Sequence, residues 1–152
     1  KKEQGSARVV KEIPITGWYS SMSGHAEQCV EKYCELAGIS ESSLKRVETP
    51  CIDDHDITID ELETRGELAD ASARIVLKAL YVARISRPDI YFAVNTLACE
   101  VTRLTIACDR RLHRLISYMH WTQQWVQHCR VSSKPSEIIG DGRPLEAVRS
   151  RR

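Results

Sequence analysis

The tripeptide Arg87-Pro88-Asp89 separates two stretches with helical apolar spacing, and it constrains the fold of this chain more than any other feature. Because proline disfavours helical geometry in the residue before it, a helix that arrives from residue 71 should end near Ser86. Pro88 suits the first turn of a second helix, where the Asp89 carboxylate meets the positive helix end. Arg87 can pair locally with Asp89. The tripeptide therefore predicts two helices joined by a tight turn.

Three segments around this turn each carry a stripe of apolar residues at helical spacing. The first helix, capped by Asp70 or Ser72, should bury Ala73, Val76, Leu77, Leu80 and Tyr81. The second should bury Ile90, Val94, Leu97, Ala98 and Val101. The third, from about Thr105 to Trp121, should bury Leu112, Leu115, Ile116 and Met119. Short connections between the stripes predict a three-helix unit with a core of its own.

The residues before this unit predict a mixture of strand and helix. Residues 7–20 contain β-branched and aromatic residues interrupted by Pro14, which predicts one or two short strands. Ser23 should cap a helix that runs to Ala37 and stops at Gly38.

The residues after the unit predict a strand at 124–131 and a disordered tail at 132–152, which has glycines and prolines and little to pack. The predicted fold class is therefore α+β, mainly α. Short N-terminal strands and one helix precede the three-helix unit, and the disordered tail follows it.

Charge is distributed unevenly along the chain, although the net charge is only +1. Residues 48–70 hold one basic and nine acidic side chains, whereas residues 71–131 hold nine basic and three acidic ones. The acidic stretch has no sustained periodicity, so residues 52–69 should be an exposed connector with a loose turn near Asp60 to Leu62. The basic stretch makes a polyanion a reasonable partner for the second half.

The bulk composition is 42% hydrophobic and 28% charged, which is typical of one globular domain or a segment of a larger protein. No apolar run reaches the length needed to cross a bilayer, and no secretory signal follows the basic start. We therefore expect no membrane partner and a cytoplasmic or nuclear location. The six cysteines should then be reduced thiols.

Two patterns suggest catalysis or metal binding, but each has a simpler interpretation. The pair Asp53-Asp54 could hold the metals of a phosphoryl-transfer site. Its position in an acidic connector instead favours the interpretation that the pair lies in a solvated loop. Cys51 with His55 and His25 with Cys29 lack the paired short-spaced ligands typical of zinc. We predict no catalytic residue and no metal ligand in this chain, with a Cys/His hydrolase as a remaining alternative.

The third predicted helix carries a basic face opposite its apolar stripe. At about 100° per residue, Arg110 and Arg114 share that face with Ser117 and Trp121, and Arg111 flanks it. Arginines can contact phosphates while an aromatic ring stacks on a base or sugar. Arg110, Arg111, Arg114 and Trp121 are therefore the candidate nucleic-acid-binding residues. The alternative is a solvated helix face with Trp121 folded under the helix end.

The run ALYVARISRPDIYFAV at residues 79–94 resembles a segment of Ty1/copia-type retrotransposon polyproteins. In those proteins a Leu-Tyr, Arg-Pro-Asp-Ile and Ala-Val stretch follows the palm of the reverse transcriptase. Residues 31–39 and the Val-Glu-Thr-Pro of residues 47–50 are similar to the segment just upstream. Residues 111–122 resemble the family's helix that ends in a Tyr-Leu-x-x-Thr pattern. The resembling segments occur in the same order as in the family over residues 25–131.

This resemblance implies an address for each part of the chain. Residues 1–47 correspond to the end of the palm and 71–131 to a helical thumb or connection. Between them lies the acidic connector at 48–70, whose insert at 52–70 is longer and more charged than the family's usual connection. The tail at 132–152 departs from the pattern. Asp53-Asp54 follows the Thr-Pro segment, so it does not match the family's metal-binding Tyr-x-Asp-Asp turn, which lies upstream.

The resemblance implies a non-catalytic fragment of an RNA-directed DNA polymerase that grips the primer–template backbone in the intact polyprotein. Its partners would be an RNA–DNA or DNA duplex, the upstream palm and fingers, and the downstream RNase H part. No cofactor is expected in this chain, and Mg²⁺ is implied only for the intact polymerase. The alternatives are a degenerate transposon remnant and a helical protein-interaction module.

Overall fold

The computed structural model describes residues 16–131. Its regular elements are β1 (Thr16–Ser20), α1 (Ser23–Ala37), α2 (Ile59–Glu63), α3 (Ala73–Ile85), α4 (Tyr91–Cys99), α5 (Ile106–Trp121) and β2 (Gln127–Val131). The fold is mainly helical with one two-stranded sheet, as predicted. The predicted tail and the first part of the predicted N-terminal strands lie outside the described residues.

The chain divides into two compact units. Residues 19–127 form the larger one, which contains all five α-helices of the described residues. Residues 16–18 and 128–131 belong to the smaller unit, where β1 pairs with β2. The predicted strand at 124–131 is confirmed from Gln127 onward.

Helix ends in the larger unit follow local signals, with one exception. Gly38 has a φ of 63° and ends α1, as predicted, while its N–H donates to the carbonyl of Cys34. The N–H of Ile39 bonds the same carbonyl at 3.1 Å. The predicted Ser23 cap is wrong: Ser23 is already helical, Met22 holds the capping position, and no side chain caps this end.

The Arg-Pro-Asp turn has the predicted form. Helix α3 ends at Ile85, residues Pro88–Ile90 make a single 3₁₀ turn, and α4 begins at Tyr91. The predicted cap of α3 is wrong for both candidates. Ser72 holds the capping position, but its buried hydroxyl has no hydrogen-bond partner, and the Asp70 carboxylate pairs instead with Arg65.

The core lies between α1, α3, α4 and α5. The stripe predicted for α5 is confirmed, because each of its four residues is at most 1% exposed: Leu112, Leu115, Ile116 and Met119. In the second stripe Ile90, Val94 and Leu97 are buried, whereas Ala98 and Val101 are only partly covered. Helix α1 contributes Ala26, Cys29, Val30, Tyr33 and Cys34.

The stripe predicted for α3 is wrong at two of its five positions. Leu77 and Tyr81 are 55% and 54% exposed. Val76 is buried and Leu80 packs against the core, as predicted. The helix also buries four residues outside the predicted stripe: Ile75, Ala79, Val82 and Ala83. Arg74, Lys78 and Arg84 lie on the same side of α3 as Leu77 and Tyr81, so the predicted stripe lies too close to the charged side of the helix. The face with Ala79 and Ala83 is the one against its neighbours, because small side chains let packed helices approach closely.

The acidic connector is more ordered than the sequence indicates. The predicted turn near Asp60 is confirmed as the short helix α2, whose capping box joins Thr58 and Glu61. An antiparallel bridge then pairs Arg65 with Thr105, with the N–H of Ile106 donating to the Thr64 carbonyl at 3.0 Å. The connector is therefore attached to the start of α5. Within residues 16–131, no helix is long and apolar enough to cross a membrane.

Candidate nucleic-acid interface

The four candidate residues lie along one side of α5, and we call this surface the arginine face: Arg110, Arg111, Arg114 and Trp121. The long amphipathic helix holds them there because its opposite side is fixed in the core. Each of the four side chains contacts a residue of the segment 44–61, which we call the covering segment.

Arg110 makes the strongest of these contacts. Its Nη1 donates to both carboxylate oxygens of Glu61, at 2.7 and 2.8 Å, and to the backbone carbonyl of Asp56 at 2.9 Å. The pKa of Glu61 lies below its ordinary value, because the carboxylate accepts a hydrogen bond from the Thr58 backbone N–H and a second from Arg110. The Glu61 side chain therefore serves both as a helix cap and as an ion-pair partner.

Arg111 and Arg114 meet more exposed partners. Arg111 Nη2 lies 2.9 Å from the Asp54 carboxylate, which is 84% exposed. Arg114 donates from Nε to the Thr49 carbonyl at 2.9 Å and from Nη2 to the Thr49 hydroxyl at 3.1 Å. Among residues 16–131 no carboxylate lies within ion-pair distance of Arg114, so its charge meets only neutral oxygens there.

Trp121 is held by one edge of its ring. Its Nε1–H donates to the Leu44 carbonyl at 3.0 Å, and His120 packs against the ring edge-on at a centroid distance of 5.6 Å. The side chain is still 53% exposed. The Trp121 ring is therefore anchored and also accessible, which combines elements of both interpretations drawn from the sequence.

A cleft of about 680 Å³ opens beside the arginine face, lined by residues of α1, α5 and the covering segment. Within it the Tyr33 hydroxyl and His113 Nδ1 lie 2.9 Å apart. Burial raises the pKa of Tyr33 to about 12 and lowers the pKa of His113. The pair thus remains neutral near pH 7. Sequence reasoning did not find it, since its two members are 80 residues apart.

Arg87 joins two distant parts of the larger unit. It is 2% exposed, and its Nε and Nη2 donate to the two Asp89 oxygens at 2.9 and 2.8 Å, which confirms the predicted local pair. It also donates to the Thr122 carbonyl at 2.8 Å and hydroxyl at 2.7 Å. The guanidinium lies 5.9 Å from the Tyr118 ring centroid and 5.6 Å from that of Trp125. This second set of contacts had no signal in the sequence.

The other candidate residues are not brought together into a site. Asp53 accepts a hydrogen bond from the His55 backbone N–H, and Asp54 pairs with Arg111, so this carboxylate pair does not fit a Mg²⁺ site. Over residues 16–131 no group of three or more His, Cys, Asp or Glu side chains could hold a metal ion.

The thiols that burial perturbs are shifted away from reactivity. Burial raises the pKa of Cys29 to about 11, and it also raises the pKa values of Cys34 and Cys51. A nucleophilic cysteine requires the opposite shift, because the thiolate is the reactive form. These three residues therefore give no support to the Cys/His hydrolase alternative.

Comparison with protein-family models, with curated proteins and with solved structures finds no match to this chain. The sequence, the fold and the contacts of the arginine face are therefore the basis for proposing a function.

Proposed function

We propose that this chain is a non-catalytic segment of a Ty1/copia-type reverse transcriptase that grips the backbone of an RNA–DNA or DNA duplex through the arginine face. The observation that carries the proposal is the placement of three arginines and a half-exposed tryptophan on one side of α5. Polymerisation in the intact polyprotein would depend on Mg²⁺ held by carboxylates upstream of this chain.

The chemistry of the arginine face suits a phosphate backbone. A guanidinium carries five N–H donors, and Arg110 directs only Nη1 toward its partners among the described residues. Phosphate oxygens accept such bonds whatever the base sequence, so contacts of this kind position a duplex without reading it. The accessible Trp121 ring adds a surface on which a base or sugar can stack.

The contacts of Arg87 support the proposed family relationship. Residues 79–94 and 111–122 carry the resemblance, and Arg87 of the first stretch bonds both oxygens of Thr122 in the second. Tyr118 stands where the family's Tyr-Leu-x-x-Thr pattern begins, with Met119 in place of the leucine, and its ring lies beside the same guanidinium. The two resembling stretches are thus physical partners, as expected if both were retained to build one structure.

The surface of α3 supports the proposal that the chain is part of a larger protein. Leu77, Tyr81 and Ile85 follow one another at intervals of four residues and are each at least 44% exposed. In the intact polyprotein we expect the palm, fingers or RNase H part to cover this apolar face. The same face favours the second candidate, a helical protein-interaction module.

Duplex binding measured by fluorescence anisotropy over a range of salt concentrations tests the proposed grip. Binding should be independent of base sequence, and Arg110→Ala with Arg114→Ala should weaken it. Each lost phosphate contact should lower the log–log salt slope by about 0.9. The matched control is Arg74→Ala with Arg103→Ala, which removes the same charge from exposed positions outside α5.

Three results would count against the grip: no duplex binding by the wild type or by Asp54→Asn with Glu61→Gln, binding that does not respond to salt, or equal losses in the two arginine double variants. Any of them would favour the interaction module or the degenerate remnant.

A further inference from the structure

We infer that the covering segment, residues 44–61, is an internal competitor that closes the arginine face until a nucleic-acid backbone displaces it. This inference rests on the proposed function and adds a regulation to the same site. It predicts that the closed form shown by the structure is the resting state of the interface.

The covering segment runs along α5 in the opposite direction to the helix. Its contacts, taken from the C-terminal end of α5, are Trp121 with Leu44, Arg114 with Thr49, Arg111 with Asp54, and Arg110 with Asp56 and Glu61. At 1.5 Å per residue these contacts extend over about 16 Å of helix. One continuous stretch of chain therefore contacts each residue of the arginine face, in order along the helix.

The atoms that the covering segment presents are chemically similar to those of a phosphate backbone. The three arginines receive only oxygen acceptors from it: two carboxylates, two backbone carbonyls and one hydroxyl. Hydrogen bonds between a guanidinium and a carboxylate or phosphate are of the same charge-assisted type. A donor engaged by Glu61 or Asp54 is not free for a phosphate, so the covering segment and a phosphate backbone compete for Arg110 Nη1 and Arg111 Nη2.

The closure is built to be reversible. Its ends are fixed, since Leu44 is 2% exposed in the core and Arg65 bridges to Thr105. In each ion pair between those ends one side chain is more exposed than its partner: Arg110 at 40% with Glu61 at 21%, and Asp54 at 84% with Arg111 at 22%. Exposed ion pairs are weak and are screened by salt. A polyanion can therefore displace the middle of the segment while its ends stay in place.

The matched double variants Asp54→Asn with Glu61→Gln, and Asp60→Asn with Glu63→Gln, test this inference in the full chain. Both remove two negative charges from the connector, but among the described residues only the first pair contacts arginines. Glutamine also serves at the third position of a capping box, so α2 should persist. Relative to the control, the first variant should bind an RNA–DNA duplex roughly three- to tenfold more tightly.

Hydrogen exchange gives a second readout that does not depend on affinity. Adding duplex to the wild-type chain should speed amide exchange in residues 49–61, and Asp54→Asn with Glu61→Gln should speed it without duplex. Tighter binding by this variant supports the closure, including the case in which the wild type binds too weakly to measure.

The proposed function and the closure fail in different ways. If the wild type binds duplex with salt dependence and the two double variants bind equally well, the closure is wrong and the grip stands. If no form of the chain binds duplex, both are wrong.

Discussion

Replacing Arg87 with alanine removes the guanidinium that joins the α3–α4 turn to the end of α5. The side chain is 2% exposed and makes hydrogen bonds to Asp89 and to both oxygens of Thr122. It also packs beside two aromatic rings. We expect Arg87→Ala to destabilise the larger unit strongly, because several polar groups lose their partner together.

The magnitude follows from the burial of those groups. Removing one member of a buried ion pair costs about 3–5 kcal/mol. Asp89 is 29% exposed and can recover water, so the lower end of that range applies, about 3 kcal/mol. For a unit of this size that corresponds to a fall in Tm on the order of 10 °C. Arg87→Lys should be intermediate, since an ammonium keeps the charge but does not reproduce the planar fork.

Urea denaturation followed by circular dichroism measures the effect, with Arg84→Ala as the control. Arg84 is exposed in the last turn of α3, and its replacement should change the free energy of unfolding by about 0.5 kcal/mol at most. If Arg87→Ala and Arg84→Ala unfold at the same urea concentration with the same slope, the guanidinium does not stabilise the turn and the reasoning above fails.

Two further substitutions test other contacts of the larger unit. Gly66→Ala should cost about 1–3 kcal/mol, because an added Cβ would lie 2.6 Å from the Asp109 carboxylate and 2.7 Å from the Thr105 carbonyl. Gly24→Ala, where no heavy atom lies within 4 Å, should leave the urea midpoint unchanged or slightly raised. The raised pKa of Tyr33 predicts that stability falls as pH rises from 10 toward about 12, because only the unfolded phenol loses its proton there. Tyr33→Phe should make that decline shallower and remove the most alkaline step of the phenolate absorbance titration; an unchanged titration would contradict the assigned burial.

Local chemistry explains the features that the sequence predicted well. Pro88 and Gly38 act on the backbone within a few residues, so the α3–α4 turn and the end of α1 follow directly from their positions. The buried face of α5 also follows from sequence, because its apolar and charged residues separate cleanly around the helix. The side shared by Arg110, Arg114 and Trp121 is the consequence of that separation.

Two local capping signals failed. Ser23 and Ser72 are suitable caps by residue type, yet neither hydroxyl caps a helix. Ser72 is 1% exposed among apolar neighbours, so its backbone position is set by packing and its hydroxyl has no partner. A capping preference of about 1 kcal/mol is easily overridden by burial on this scale.

The sequence by itself therefore determined where α1 and α3 end, how the turn at Pro88 leads into α4, and which residues share the arginine face. The sequence also indicates the exposed side of α3, through Arg74 and Lys78 beside Leu77 and Tyr81, although the predicted stripe did not use that signal. Only the tertiary structure decided that α3 packs through the small side chains of Ala79 and Ala83. It also decided that the arginine face is closed by the covering segment. The partners of that face lie 49 to 77 residues away along the chain, and long-range pairing of this kind depends on packing that periodicity and propensity do not contain.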